Sequence, residues 1–146
     1  MRDHLRSFPP EFIEEGPEMS IGFYESLRTL TLWRLAETLD LGEEELVHFF
    51  PRFNRLEKAR QEYRHESAAH VGSLEEALAS DDLKRIKGAI DAFRETRDRF
   101  LEESLEMEQD LLEVLTVEQQ ARYLIFMETV APEIEGMLRA FHQLRS

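Results

Sequence analysis

The chain contains no cysteine. That single absence removes disulfide staples, thiolate zinc sites, iron–sulfur clusters and cysteine nucleophiles together. Positive charge is scarce, with 18 basic residues against 31 acidic ones and a formal net charge of −13. A phosphate backbone would be repelled by such a chain unless a basic patch were segregated, so no nucleic-acid partner is expected. No apolar run approaches the roughly 18 residues that span a bilayer, so no membrane insertion is expected. The chain also lacks a Gly-rich phosphate loop, a nucleophile elbow, an HExxH zinc motif and any Ser/His/Asp grouping that spacing would unite. No enzyme is expected.

β-Branched residues are few as well: Val, Ile and Thr together number 17, against 20 Leu, 24 Glu and 15 Arg. Straight-chain residues lose little rotamer freedom in a helix, whereas β-branched ones favour strands. No alternating apolar–polar run bounded by turn residues is present. The composition therefore predicts an all-α protein, and 146 residues predict one domain.

Three of the five prolines fall within residues 1–22, with Gly16 and Gly22 beside them. This segment is expected to be an extended or disordered leader, and it has no continuous apolar core of the signal-peptide kind. Residues 23–146 are expected to form a single helical-hairpin domain. A first helix is predicted over Phe23–Leu39, with Leu27, Leu30, Leu35 and Leu39 near one stripe. The second starts near Glu43 and carries Leu46, Phe49, Phe50, Phe53, Leu56 and Tyr63 at three- and four-residue steps, with a kink expected at Pro51. Gly72 and Ser73 are expected to interrupt it, and Ser73 to Glu76 reads as a capping box.

Ser80-Asp81-Asp82 caps a third helix reaching about Val114. Its expected seam is Leu83, Ile86, Ile90, Phe93, Arg97, Phe100, Ser104, Met107, Leu111 and Val114, the spacing of a coiled coil. A fourth helix from Val117 continues with Ala121, Leu124, Met127, Ala131, Ile134, Leu138 and Phe141. The second and third helices are expected to fold back antiparallel about residues 72–81. Charge agrees: residues 52–64 hold five basic groups against two acids, and residues 101–121 hold seven acids and no base.

A weak internal repeat has an offset of 74 residues. Leu41-Gly42-Glu43-Glu44-Glu45 corresponds to Leu115-Thr116-Val117-Glu118-Gln119, followed by Phe49-Phe50 against Tyr123-Leu124. Both copies sit where one helix ends and the next begins, with acids facing the positive helix end. Leu-Thr-x-x-Gln at a helix start, twice in a small helical chain, resembles the LTxxQ family of Spy/CpxP periplasmic chaperones and CnrX/ZraP-type heavy-metal sensors. Leu115, Thr116 and Gln119 match the motif in full, whereas Gly42 replaces Thr and Glu45 replaces Gln in the first copy. Phe50-Pro51-Arg52-Phe53-Asn54 is similar to an aromatic-Pro-x-aromatic-Asn pattern of many members, and the resemblance spans about residues 27–141.

The resemblance implies a bent four-helix hairpin pairing antiparallel with a second copy into a cradle-like homodimer. It implies a non-enzymatic envelope stress protein that binds unfolded clients or a signalling partner. A periplasmic location follows if an upstream signal or anchor has been removed, and a cytoplasmic one otherwise. Phe49, Phe50, Phe53, Arg52, Arg55, Phe93 and Met107 are the expected client contacts, since Met and aromatic side chains repack easily on a promiscuous surface. An alternative is a heavy-metal sensor or resistance protein, and another a structural coiled-coil adaptor. The chain implies no cofactor by itself. For zinc, nickel or copper the candidates are His65, Glu66 and His70, completed by a second copy. Glu45-x-x-His48 and Glu62-x-x-His65 lie on one predicted helix about 25 Å apart, so they cannot share a centre within one protomer.

Overall fold

The computed structural model describes residues 17–145. It is all-α, with four helices: α1 (Pro17–Leu39), α2 (Glu43–Ser80), α3 (Leu83–Glu113) and α4 (Val117–Arg145). The described residues fall into two compact units, the first built from α1 and α4 and the second from α2 and α3. Residues 1–16 of the expected leader, and the side chains of Leu27, Leu138 and Phe141, lie outside the described residues. α1 begins at Pro17 rather than Phe23, so residues 17–22 are helical. Proline suits a first turn, where its missing N–H would have no intrahelical partner.

α1 ends in a Schellman motif. The Leu41 N–H donates to the Ala36 carbonyl at 3.2 Å and the Asp40 N–H to the Glu37 carbonyl at 3.1 Å. Asp40 takes the left-handed conformation this motif requires, with φ 53°. Of the two residues that could break the helix, Asp40 and Gly42, the break falls at Asp40, and Gly42 stands just before α2.

α2 runs without interruption through Gly72 and Ser73 to Ser80, which corrects the expected break and capping box at Ser73. Packing along the hairpin overrides the weak local preference of one glycine. The turn sits at Asp81 and Asp82. Asp81 has φ 57°, and Asp82 caps α3, its Oδ1 accepting from the Lys84 N–H at 3.1 Å. Pro51 lies inside α2, and close by the Arg52 Nη1 donates to the His48 carbonyl at 2.8 Å.

Moving the turn from the 72–81 region to its far end shifts the register of the hairpin. Arg52 Nε meets Asp110 Oδ2 at 3.3 Å, Arg60 Nη2 meets Glu108 Oε2 at 3.9 Å, and Arg85 Nη2 meets Glu76 Oε2 at 3.9 Å. Residues 52–64 therefore lie along the acidic stretch of α3, a fuller overlap than the expected register allows. Each such part-exposed pair contributes a few tenths of a kcal/mol and orients more than it stabilises.

The core of the hairpin is formed by Phe49, Phe53, Leu56 and Ala77 of α2 with Thr96 and Leu111 of α3, all buried. Phe49 and Phe53 stack at 5.7 Å between ring centroids, and Tyr63 stacks on Phe100 at 4.3 Å. The α3 seam differs from the expected one in its first half. Leu83, Ile90 and Arg97 are exposed, while Ala89 is half-buried and Thr96 buried in their stead. In the other unit Leu35 and Leu39 of α1 and Tyr123, Phe126 and Ile134 of α4 are buried, whereas Ala121 and Leu124 are exposed.

Two substitutions test the turn and the uninterrupted helix. A Cβ built on Gly72 meets nothing within 4 Å, so Gly72→Ala should raise stability by about 1 kcal/mol. Asp81→Gly, which relieves a left-handed non-glycine residue, should add about 1 kcal/mol. Urea unfolding followed by circular dichroism measures both.

Candidate functional site

The repeated motif occupies two helix starts. Gly42 immediately precedes α2 and Thr116 immediately precedes α4. Leu115 is buried at 6 % exposure, Leu41 and Glu45 are half-buried, and Thr116 is exposed. Gln119 projects from the first turn of α4, and its Nε2 donates to the Leu39 carbonyl at 3.2 Å. One turn on, Arg122 Nη1 lies 3.5 Å from the Thr38 carbonyl while Nη2 holds Glu118 Oε1 at 2.7 Å.

The carbonyls of Thr38 and Leu39 belong to the last turn of α1, where no further helical N–H follows and the helix carries partial negative charge. An amide donor and a guanidinium are suited to that end. Gln119 of the second copy thus fastens the start of α4 to the end of α1. Sequence reasoning identified Gln119 as a capping residue; its amide reaches across 80 positions to another helix. The signal that could have disclosed this is Arg122, a cation one turn beyond the motif glutamine.

The expected client contacts divide by burial. Phe49 and Phe53 have no exposed surface and are core, which corrects their assignment as binding residues. Phe50, Phe93, Met107 and Arg52 are half-buried, and Arg55 is exposed. Arg52 is committed to Asp110, and Arg60 to Glu57 at 2.9 Å. The basic stretch faces acids of its own chain.

The histidine candidates also separate. His65 and Glu66 are exposed on α2. His70 is half-buried in the hairpin, its ring stacked on Phe93 at 5.6 Å and its Nε2 at 2.9 Å from Thr96 Oγ1. That contact satisfies the buried Thr96 hydroxyl, a polar role within the seam. Among the described residues no group of three or more His, Cys, Asp or Glu side chains is arranged to hold a metal ion.

The large exposed apolar side chains lie elsewhere than expected. On the α1–α4 unit they are Trp33, Leu30, Val117, Leu124, Ile125 and Met137, with Trp33 at 64 % and Val117 at 83 % exposure. Val117 and Leu124 are seven residues apart and share a stripe of α4. Leu124 stands one position after buried Tyr123, and Trp33 two before buried Leu35. With α4 running back along α1, these offsets turn both side chains to the same side of the pair.

On α3, Leu83, Ile90, Leu101 and Leu105 are exposed, and an open depression of about 420 Å³ is bordered by Leu105, Glu106, Gln109, Asp110 and Glu113 of that same helix. No helix among the described residues is long and apolar enough to cross a membrane. No family model, curated protein or solved structure matches the chain.

Gln119→Ala should cost about 1 kcal/mol, because it leaves the part-buried Leu39 carbonyl without this donor. Gln119→Glu should cost more, since it sets a carboxylate against a carbonyl at the negative end of α1. Thermal melting of the two variants orders these effects.

Proposed function

We propose that the protein is a non-enzymatic binding protein that holds apolar segments of other polypeptides on the α1–α4 unit, the envelope stress role its LTxxQ resemblance implies. The observation that carries this reading is that Leu30, Trp33, Val117, Leu124, Ile125 and Met137 of α1 and α4 stand in water while the core of the same unit is already filled by Leu35, Leu39, Tyr123 and Phe126. Scattered single apolar residues are ordinary on a surface, but a group of them beside a complete core costs solubility and calls for a partner. Trp and Ile offer broad contact area with few torsions to freeze, and Met137 adds an adaptable thioether. Binding of this kind needs no nucleotide and no catalytic group.

Trp33 is the sole tryptophan of the chain, so its emission reports directly on occupancy. Addition of a chemically unfolded client should shift Trp33 emission to shorter wavelength, and near-stoichiometric protein should suppress light scattering by an aggregating client. Leu124→Asp should weaken suppression without loss of helicity, because an exposed position is changed. Absence of both shift and suppression at a large molar excess would overturn the reading.

A further inference from the structure

We infer that residues 5–13 of this chain lie over the apolar side of the α1–α4 unit, so that an incoming polypeptide must displace them. The regulatory role rests on the binding reading above; the contact itself does not. The chain before Pro17 joins directly onto the start of α1, a helix of the same unit whose apolar side chains stand in water. Residues 5–13 include Leu5, Phe8, Phe12 and Ile13, and a segment this short builds no core of its own.

Reach decides which residues meet. Trp33 stands 16 positions beyond Pro17, about 24 Å along α1 at helical rise. Phe8 precedes Pro17 by nine residues, which extended chain carries over about 30 Å, so Phe8 attains the level of Trp33. The Gln119–Leu39 bond fixes the level of antiparallel α4 against α1. It sets Leu124 beside Trp33 and Val117 about 12 Å further on. Leu5, three residues before Phe8, covers about 10 Å of that step. Trp33, Leu124 and Val117 are the exposed side chains of this side.

Charge favours the same occupant. Arg2 and Arg6 stand on either side of Leu5. Glu37 and Glu128, one helical turn beyond Trp33 and Leu124, are exposed and border the apolar positions. Cations carried by the segment therefore meet acids at the rim. Pro9 and Pro10 follow Phe8, and their fixed φ lowers the entropy lost when the segment is laid down. A tethered segment is present at an effective concentration on the order of millimolar, so a weak contact is enough to populate it.

The full chain with Phe8→Ser and Phe12→Ser tests the contact through Trp33, the sole tryptophan. Without a client, emission of this variant should lie at longer wavelength than that of wild type, which lies between the variant and the client complex. Its affinity for an unfolded client should rise by about tenfold, as expected if the segment covers the face in about nine chains of ten. A synthetic peptide of residues 1–16, added at millimolar concentration, should reverse both changes. Because the chain has no cysteine, introduced pairs give a second measurement. Arg6→Cys with Glu128→Cys should close an intramolecular disulfide under mild oxidation and block client binding until reduced. Arg6→Cys with Thr129→Cys, an exposed position on the other side of the pair, should not.

Unchanged emission and client affinity in the serine variant, or equal crosslinking at 128 and 129, would overturn the proposal while leaving the α1–α4 binding reading standing. A shifted emission with no client bound at any concentration would uphold the contact and overturn the binding reading alone.

Discussion

A helix with one packing partner can bury one stripe of its surface, and the remainder must face water or another molecule. This constraint governs the α2–α3 hairpin. Two helices of 38 and 31 residues meet along a narrow line of Phe49, Phe53, Leu56, Tyr63, His70 and Ala77 against Phe93, Thr96, Phe100 and Leu111. Nothing wider can be dry. The line is kept in register by stacked rings and by the His70–Thr96 contact, and cross-helix charge pairs flank it. Leucines outside the line can be left in water, as Leu78, Leu83, Leu101 and Leu105 are.

Much of the fold was legible in the sequence, because composition, caps and helix breakers act locally. The four helices occupy the Leu- and Glu-rich periodic segments, α1 starting earlier than expected at Pro17 and α2 running on through Gly72, and Asp82 and the Thr116 junction mark helix starts. The failures have a common origin in tertiary competition. Gly72-Ser73 looks like a break when its neighbours are weighed alone, yet the hairpin seam passes through it unbroken. The expected seam of α3 mixed two stripes, because Leu83 and Ile90 are more apolar than Ala89 and Thr96 and attract assignment to the core. The structure buries Thr96, half-buries Ala89 and leaves the larger pair outside. Likewise Tyr123 and Phe126 take the core of α4 in place of Ala121 and Leu124, a choice that periodicity alone left ambiguous within one turn.

The candidate site was less legible than the fold. Aromatic and Met positions were natural choices for a binding surface, but side-chain type does not reveal which face meets a partner helix. Phe49 and Phe53 are core, while Trp33 and Ile125 are exposed. His70 serves a buried hydroxyl, a pairing across 26 positions that no local spacing announces. The charge pattern was informative in kind and displaced in register, because five basic residues beside an acidic run predict adjacency without fixing the turn between them. A chain of net charge −13 thereby gathers much of its positive charge against its own acids.

The Gln119–Leu39 bond has a consequence for how the molecule is made. The hairpin joins neighbours in sequence, so its ladder of contacts can zip from the turn as soon as α3 emerges. The α1–α4 unit cannot close until synthesis has passed both long helices, a delay of roughly 4–16 s at ordinary elongation rates. During that interval Leu35 and Leu39 of the nascent chain have no α4 to lie against. The chain we propose to hold apolar segments of other polypeptides is itself, in its own first seconds, a polypeptide with such segments uncovered.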